Sequence, residues 1–132
     1  MTTAALMRNR YARDAVTTAS PQRLVTMLYD RLLRDLGAAE TALGVPDIEV
    51  AHRELVHAQD IIRELAGSLD LAIWPEGESL AQLYAWLLER LIAANVSKDS
   101  MIVAECREVV EPLRDAWHEA ANASATARAA HA

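Results

Sequence analysis

Leu24, Leu28, Leu32, Ala39 and Leu43 recur at the three- and four-residue steps, and multiples of them, that mark one face of an α-helix. The rhythm returns three more times. Ile48, Ala51, Leu55, Ala58, Ile62, Leu65 and Leu69 form a second stripe. Leu80, Leu83, Leu87, Leu91 and Ala94 form a third, and Ile102, Cys106, Val109, Leu113, Trp117 and Ala120 a fourth. Each stripe must be buried against another, and short breaks between them make successive helices antiparallel. The expected fold is all-α: an antiparallel up-down four-helix bundle with a short N-terminal arm or helix. Composition excludes a β fold. The apolar residues are mostly 26 Ala and 17 Leu, with no Phe and only four Gly and four Pro, whereas strands need β-branched and aromatic residues with frequent turns.

The breaks carry their own signals. Ser20 is a helix cap and Pro21 suits the first helical position, where its missing N–H costs nothing. Gly44-Val45-Pro46 ends the first helix, and Asp47 can cap the second. Asp70 to Gly77 reads as a loop containing Trp74-Pro75. A third helix is expected from Glu78 to Ser97, and Asp99 can cap the last. Pro112 lies inside that last helix, where a proline removes one hydrogen bond and predicts a bend. The expected organisation is an arm over residues 1–19, a bundle over 20–121 and a tail over 122–132. The tail has no large apolar anchor and is expected to fray.

Charge narrows the function classes. The 132 residues carry a net charge of −6. Residues 1–20 hold Arg8, Arg10 and Arg13 against Asp14, a balance of +2, while the rest stands at −8. An acidic body argues against nucleic-acid binding, and a basic arm can lie back on it. No apolar run is long enough to span a membrane, and no signal peptide is present. The single Cys106 allows no intrachain disulfide, which fits a reducing cytosol.

The chemistry-bearing residues form no catalytic constellation. Di-metal bundles use Glu-x-x-His pairs, and Glu54-Leu-Val-His57 and Asp115-Ala-Trp-His118 resemble that spacing. At about 100° per residue, however, both pairs point away from their helices' apolar faces. Cys106 falls on the apolar stripe between Ile102 and Val109, where cysteine acts as a small hydrophobe. There is no Gly-rich phosphate loop and no zinc spacing. Neither an enzyme nor a cofactor or metal is expected.

What stands out is surplus apolar surface. A bundle helix needs an apolar stripe a little over 100° wide. The segment from Glu78 to Ser97 carries a second stripe, Ala81, Ala85, Leu88, Ile92 and Val96, about 120° from the first. Trp86 lies on the opposite flank. Tyr29 and Leu33 lie beyond the Leu28/Leu32 stripe of the first helix. Such surface must be covered: by the arm, by a bundle neighbour, by a second copy, or by a partner's amphipathic helix. Tyr29, Leu33, Trp86, Leu88, Ile92 and Val96 are the candidate partner-binding residues. Tyr11, a lone aromatic in the basic arm, is a candidate docking residue.

Four segments in register also resemble a known family. They are Tyr11 to Asp30 (YARDAVTTASPQRLVTMLYD), His57 to Leu65 (HAQDIIREL), Leu83-Tyr84-Ala-Trp86 followed by Arg90 to Asn95 (RLIAAN), and Leu113-Arg-Asp-Ala-Trp117. Their order and spacing over about residues 11–121 resemble the FliS family of flagellin-export chaperones. Arg31 and Trp86 stand where that family often has Gly and Tyr. The resemblance implies a cytosolic helical bundle that binds the C-terminal segment of newly made flagellin and prevents its premature polymerisation. It implies delivery to the flagellar type III export gate as a complex, without ATP or metal. It further implies an N-terminal arm that occupies part of the binding surface when the chaperone is free. A structural homodimer or adaptor is the alternative from another class, and a di-metal enzyme the least favoured.

Overall fold

The computed structural model describes residues 21–130, which form four helices and one short 3-10 turn. Helix α1 spans Pro21–Gly44, α2 Ile48–Gly67, α3 Glu78–Ser97 and α4 Ser100–Ala130, with the 3-10 turn at Pro75–Gly77. α1 packs on α2 and α4, and α3 completes the square by packing on the same two, least extensively on α4. The order of the helices and the short turns between them make this the expected up-down bundle.

Local chemistry sets the boundaries. Pro21 opens α1, while the Ser20 cap and Tyr11 lie outside the described residues. Asp47 caps α2, its carboxylate accepting from the Val50 N–H at 3.2 Å. Asp99 does the same for α4, accepting from Met101 N–H at 2.9 Å. α3 ends on Lys98, whose φ of 52° is the left-handed conformation that closes many helices. Gly77 is buried under Trp74: a Cβ there would lie 2.7 Å from the indole Cε3, so only glycine lets the ring close over the turn.

The core is built from Tyr29, Leu32, Leu36 and Ala39 on α1 and from Leu55, Ala58, Ile61, Ile62 and Leu65 on α2. α3 adds Tyr84, Leu87, Leu91 and Ala94, and α4 adds Val103, Cys106 and Val110. Two expectations are corrected here. The α1 face turns toward Tyr29 and Leu36, and Leu28 and Leu43 are only half-buried, because α1 is packed on both sides by α2 and α4. On α4 Cys106 is fully buried as expected, but the other fully buried positions are Val103 and Val110, one residue beyond Ile102 and Val109, and Ala120 is exposed. α4 runs as helix to Ala130, as its terminal run of Ala, the strongest helix former, favours.

Cys106 is fully buried, and burial pushes its thiol pKa up to about 11. The thiolate is the reactive species. Alkylation at pH 8 is therefore expected to be slow in the native protein and fast in denaturant. Labelling followed by mass spectrometry checks this, and equal rates in both conditions would show that the thiol is open to solvent.

Candidate functional site

Polar ties between helices show which flank of each helix faces which neighbour. Asn95 on α3 hydrogen-bonds His52 on α2 at 3.0 Å. Arg90, on the other flank of α3, donates to Glu105 of α4 at 3.3 Å. On the helical wheel Leu88, Ile92 and Val96 share the Asn95 flank, and Trp86 shares the Arg90 flank. The second apolar stripe of α3 therefore borders α2, and Trp86 lies toward α4.

That border is apolar and open. Ile92 is 41% and Val96 82% exposed, and Leu88 is half-buried against the core. From α2, Val56 and Ile48 lie on the His52 side of the helix and are exposed. Ala81 and Ala85 continue the strip toward the other end of α3. The result is a shallow apolar band along α2 and α3, with small residues at one end and large aliphatic ones at the other.

The candidate residues do not all meet there. Tyr29 is the clear correction: it is 1% exposed, its ring stacks on Trp117 with centroids 6.4 Å apart, and it belongs to the core. Its hydroxyl hydrogen-bonds that of Tyr84 across the diagonal of the bundle. Burial raises both phenol pKa values above their ordinary value, so both remain protonated at neutral pH. A tyrosine beside a leucine stripe reads as a flank on a helical wheel, but a partner hydroxyl on the opposite helix lets it turn inward. Leu33 lies on the α1 flank facing α4, which Glu40–Arg107 at 2.7 Å and Asp30–Arg114 at 2.9 Å identify. Leu33 and Trp86 are both half-buried and pack against the core. Leu88, Ile92 and Val96 alone form a shared surface. Val56 and Ile48, absent from the sequence-derived set, extend it. Val56 carried a legible signal, an apolar residue one step beyond the core position Leu55.

His57 and His118 lie on the solvent side, as expected, and each is also tied to a carboxylate of α1. His57 donates through Nδ1 to Asp35, a fully buried carboxylate that also accepts from Arg31 Nε at 2.9 Å. His118 bonds Asp30 at 2.9 Å, beside Arg114. These pairs tie α1 to both of its neighbours. Among the described residues no group of three His, Cys, Asp or Glu is placed to hold a metal ion. Among them, too, no helix is long and apolar enough to cross a membrane.

Burial pushes the Asp30 carboxyl upward, but hydrogen bonds from Arg114 and His118 outweigh it and hold its pKa below the usual 3.8. A lowered folded-state pKa contributes stability above the unfolded value, and that contribution disappears as pH falls through the folded value. Asp30→Asn is therefore expected to flatten the loss of stability below about pH 4. Urea midpoints of both proteins at pH 7 and pH 3 measure it, and parallel acid losses would contradict it.

Comparison with known proteins follows the same lines. The family model described as flagellar protein FliS matches residues 3–124. The flagellar secretion chaperone FliS of Bacillus subtilis (strain 168) is 34% identical over 110 residues, covering 83% of this chain and 82% of that protein. The flagellar secretion chaperone FliS of Campylobacter jejuni (serotype O:6, strain 81116) is 30% identical over 118 residues, covering 89% and 92%. That of Escherichia coli (strain K12) is 34% identical over 108 residues, covering 80% and 79%.

Proposed function

The chain belongs to the FliS family, and on that footing we propose how it works. It is a flagellar secretion chaperone of the cytosol that holds the C-terminal segment of flagellin on the apolar band of α2 and α3. The observation that supports this placement is the outward strip Leu88, Ile92 and Val96 on a helix whose core face is already complete with Tyr84, Leu87, Leu91 and Ala94. A segment that folds on binding must recover its ordering entropy by burying a large apolar area. An amphipathic helix laid along the band does so, and Ala81 and Ala85 let its backbone approach closely.

Masking the segment keeps flagellin from polymerising early, and the complex is then delivered to the flagellar export gate. The role is binding, with no catalysis and no cofactor. The working species is a monomer or weak homodimer in which each chain takes one flagellin segment.

Sedimentation and calorimetry with a peptide of the flagellin C-terminal segment test this reading. Binding of one peptide per chain, with a negative heat-capacity change, is expected. Absence of binding, or a stable dimer that persists with peptide bound, would overturn it in favour of a structural homodimer.

A further inference from the structure

We propose that the buried hydrogen bond between Tyr29 and Tyr84 is a positioning lock that fixes the rotation and register of α3, so that Leu88, Ile92 and Val96 face outward. The proposal rests in part on the reading of that strip as the flagellin seat.

The need for a lock comes from the repetitiveness of the two helices. α1 presents Leu24, Leu28, Leu32 and Leu36 at four-residue steps, and α3 presents Leu83, Leu87 and Leu91 at the same step. Sliding α3 by one turn, about 5.4 Å, would carry Leu80, Leu83 and Leu87 into the places of Tyr84, Leu87 and Leu91, with Arg90 in the place of Ala94. Rotation is just as poorly specified by apolar character alone. Turning α3 by about 120° would replace its core face by Ala81, Ala85, Leu88, Ile92 and Val96, which are also apolar. That turn would bury the strip a partner needs.

Tyr84 breaks both degeneracies. It is 2% exposed and meets Tyr29 across the bundle, while the Tyr29 ring is itself held by stacking on Trp117. A slip moves Leu80 into the place of Tyr84 and takes from the buried Tyr29 hydroxyl its tyrosine partner, leaving it only Trp117. A buried hydroxyl that loses a partner disfavours the state that contains it by roughly five- to a hundredfold in population. A single buried polar position is known to set register in helical assemblies in this way. The other ties of α3, Arg90–Glu105 and Asn95–His52, are exposed to water and contribute little to such a choice.

The test uses Ile92→Cys as a reporter of how α3 faces, with buried Cys106 as the slow internal reference. Tyr29→Phe/Tyr84→Phe keeps both rings and removes only the hydrogen bond. In that background alkylation of Ile92→Cys is expected to slow several-fold and flagellin-peptide affinity to fall about tenfold, with helicity by circular dichroism unchanged. A folded double variant with wild-type labelling and affinity would overturn the lock. Tyr84→Phe alone, which takes one of its two partners from the buried Tyr29 hydroxyl, supplies a second reading: it should lower the urea midpoint more than the double variant does, and the reverse order would also overturn it. Slower labelling with unchanged peptide affinity would leave the lock standing and overturn the strip as the flagellin seat.

Discussion

Leu36→Ala is expected to lower the free energy of unfolding by about 2–5 kcal/mol, and Leu43→Ala by clearly less. Leu36 is fully buried at the centre of α1, the helix that packs against both α2 and α4. Truncation removes apolar surface and leaves a cavity lined by side chains that are already close-packed. Ala39, one turn away, is too small to fill it. Leu43 sits near the end of α1, half-buried, where water replaces the lost methyl groups without a cavity. Domains of this size have roughly 5–15 kcal/mol to lose. With a urea slope of about 1–3 kcal/mol/M, the Leu36 variant should move the midpoint down by on the order of 1–3 M. Equal shifts for the two variants would mean that the core runs along the Leu28/Leu43 stripe and not along Tyr29/Leu36.

That contrast shows what the sequence could and could not convey. Helix number, order and ends were legible because they depend on local signals: Gly44 before Val45-Pro46, Asp47 and Asp99 as caps, and the third helix from Glu78 to Ser97. The direction each helix faces was less so. A wheel places the core at the centre of the leucine stripe, whereas the real centre depends on how many neighbours a helix has. α1 has two extensive ones, so its buried arc widened to take in Tyr29, Leu36 and even the carboxylate of Asp35. Tyr29 and Asp35 became buried only because Tyr84 and His57 on other helices satisfy them, and pairing between distant segments leaves no periodic trace. The surplus on α3 was legible for the opposite reason. A second apolar stripe is visible in one helix alone, and Ile92 and Val96 are in fact exposed. What the wheel could not supply was the other wall of the band, Val56 and Ile48, since that requires knowing that α2 lies on the Asn95 side of α3.

Ile92→Asp/Val96→Asp should keep the fold and reduce affinity for the flagellin C-terminal segment by at least a hundredfold. These two positions separate binding from stability better than Leu88, which packs against the core, so that an aspartate there would disturb both. Ile92 and Val96 are exposed, and exposed substitutions on a helix shift stability by only about 0.5 kcal/mol. The same two carboxylates become costly once a partner's apolar face covers them. Each would be stripped of water with no cation opposite, and even a partial penalty of about 1.4 kcal/mol per site would multiply to a hundredfold in affinity. Circular dichroism and urea midpoints establish the fold, and calorimetry with the flagellin peptide measures the loss. Ile92→Ala/Val96→Ala should show a smaller loss in the same direction, since it removes contact area without adding charge. Wild-type affinity in the folded aspartate variant would move the partner's seat off the α2–α3 band. The half-buried seams holding Leu33 and Trp86 would then be the next surfaces to test.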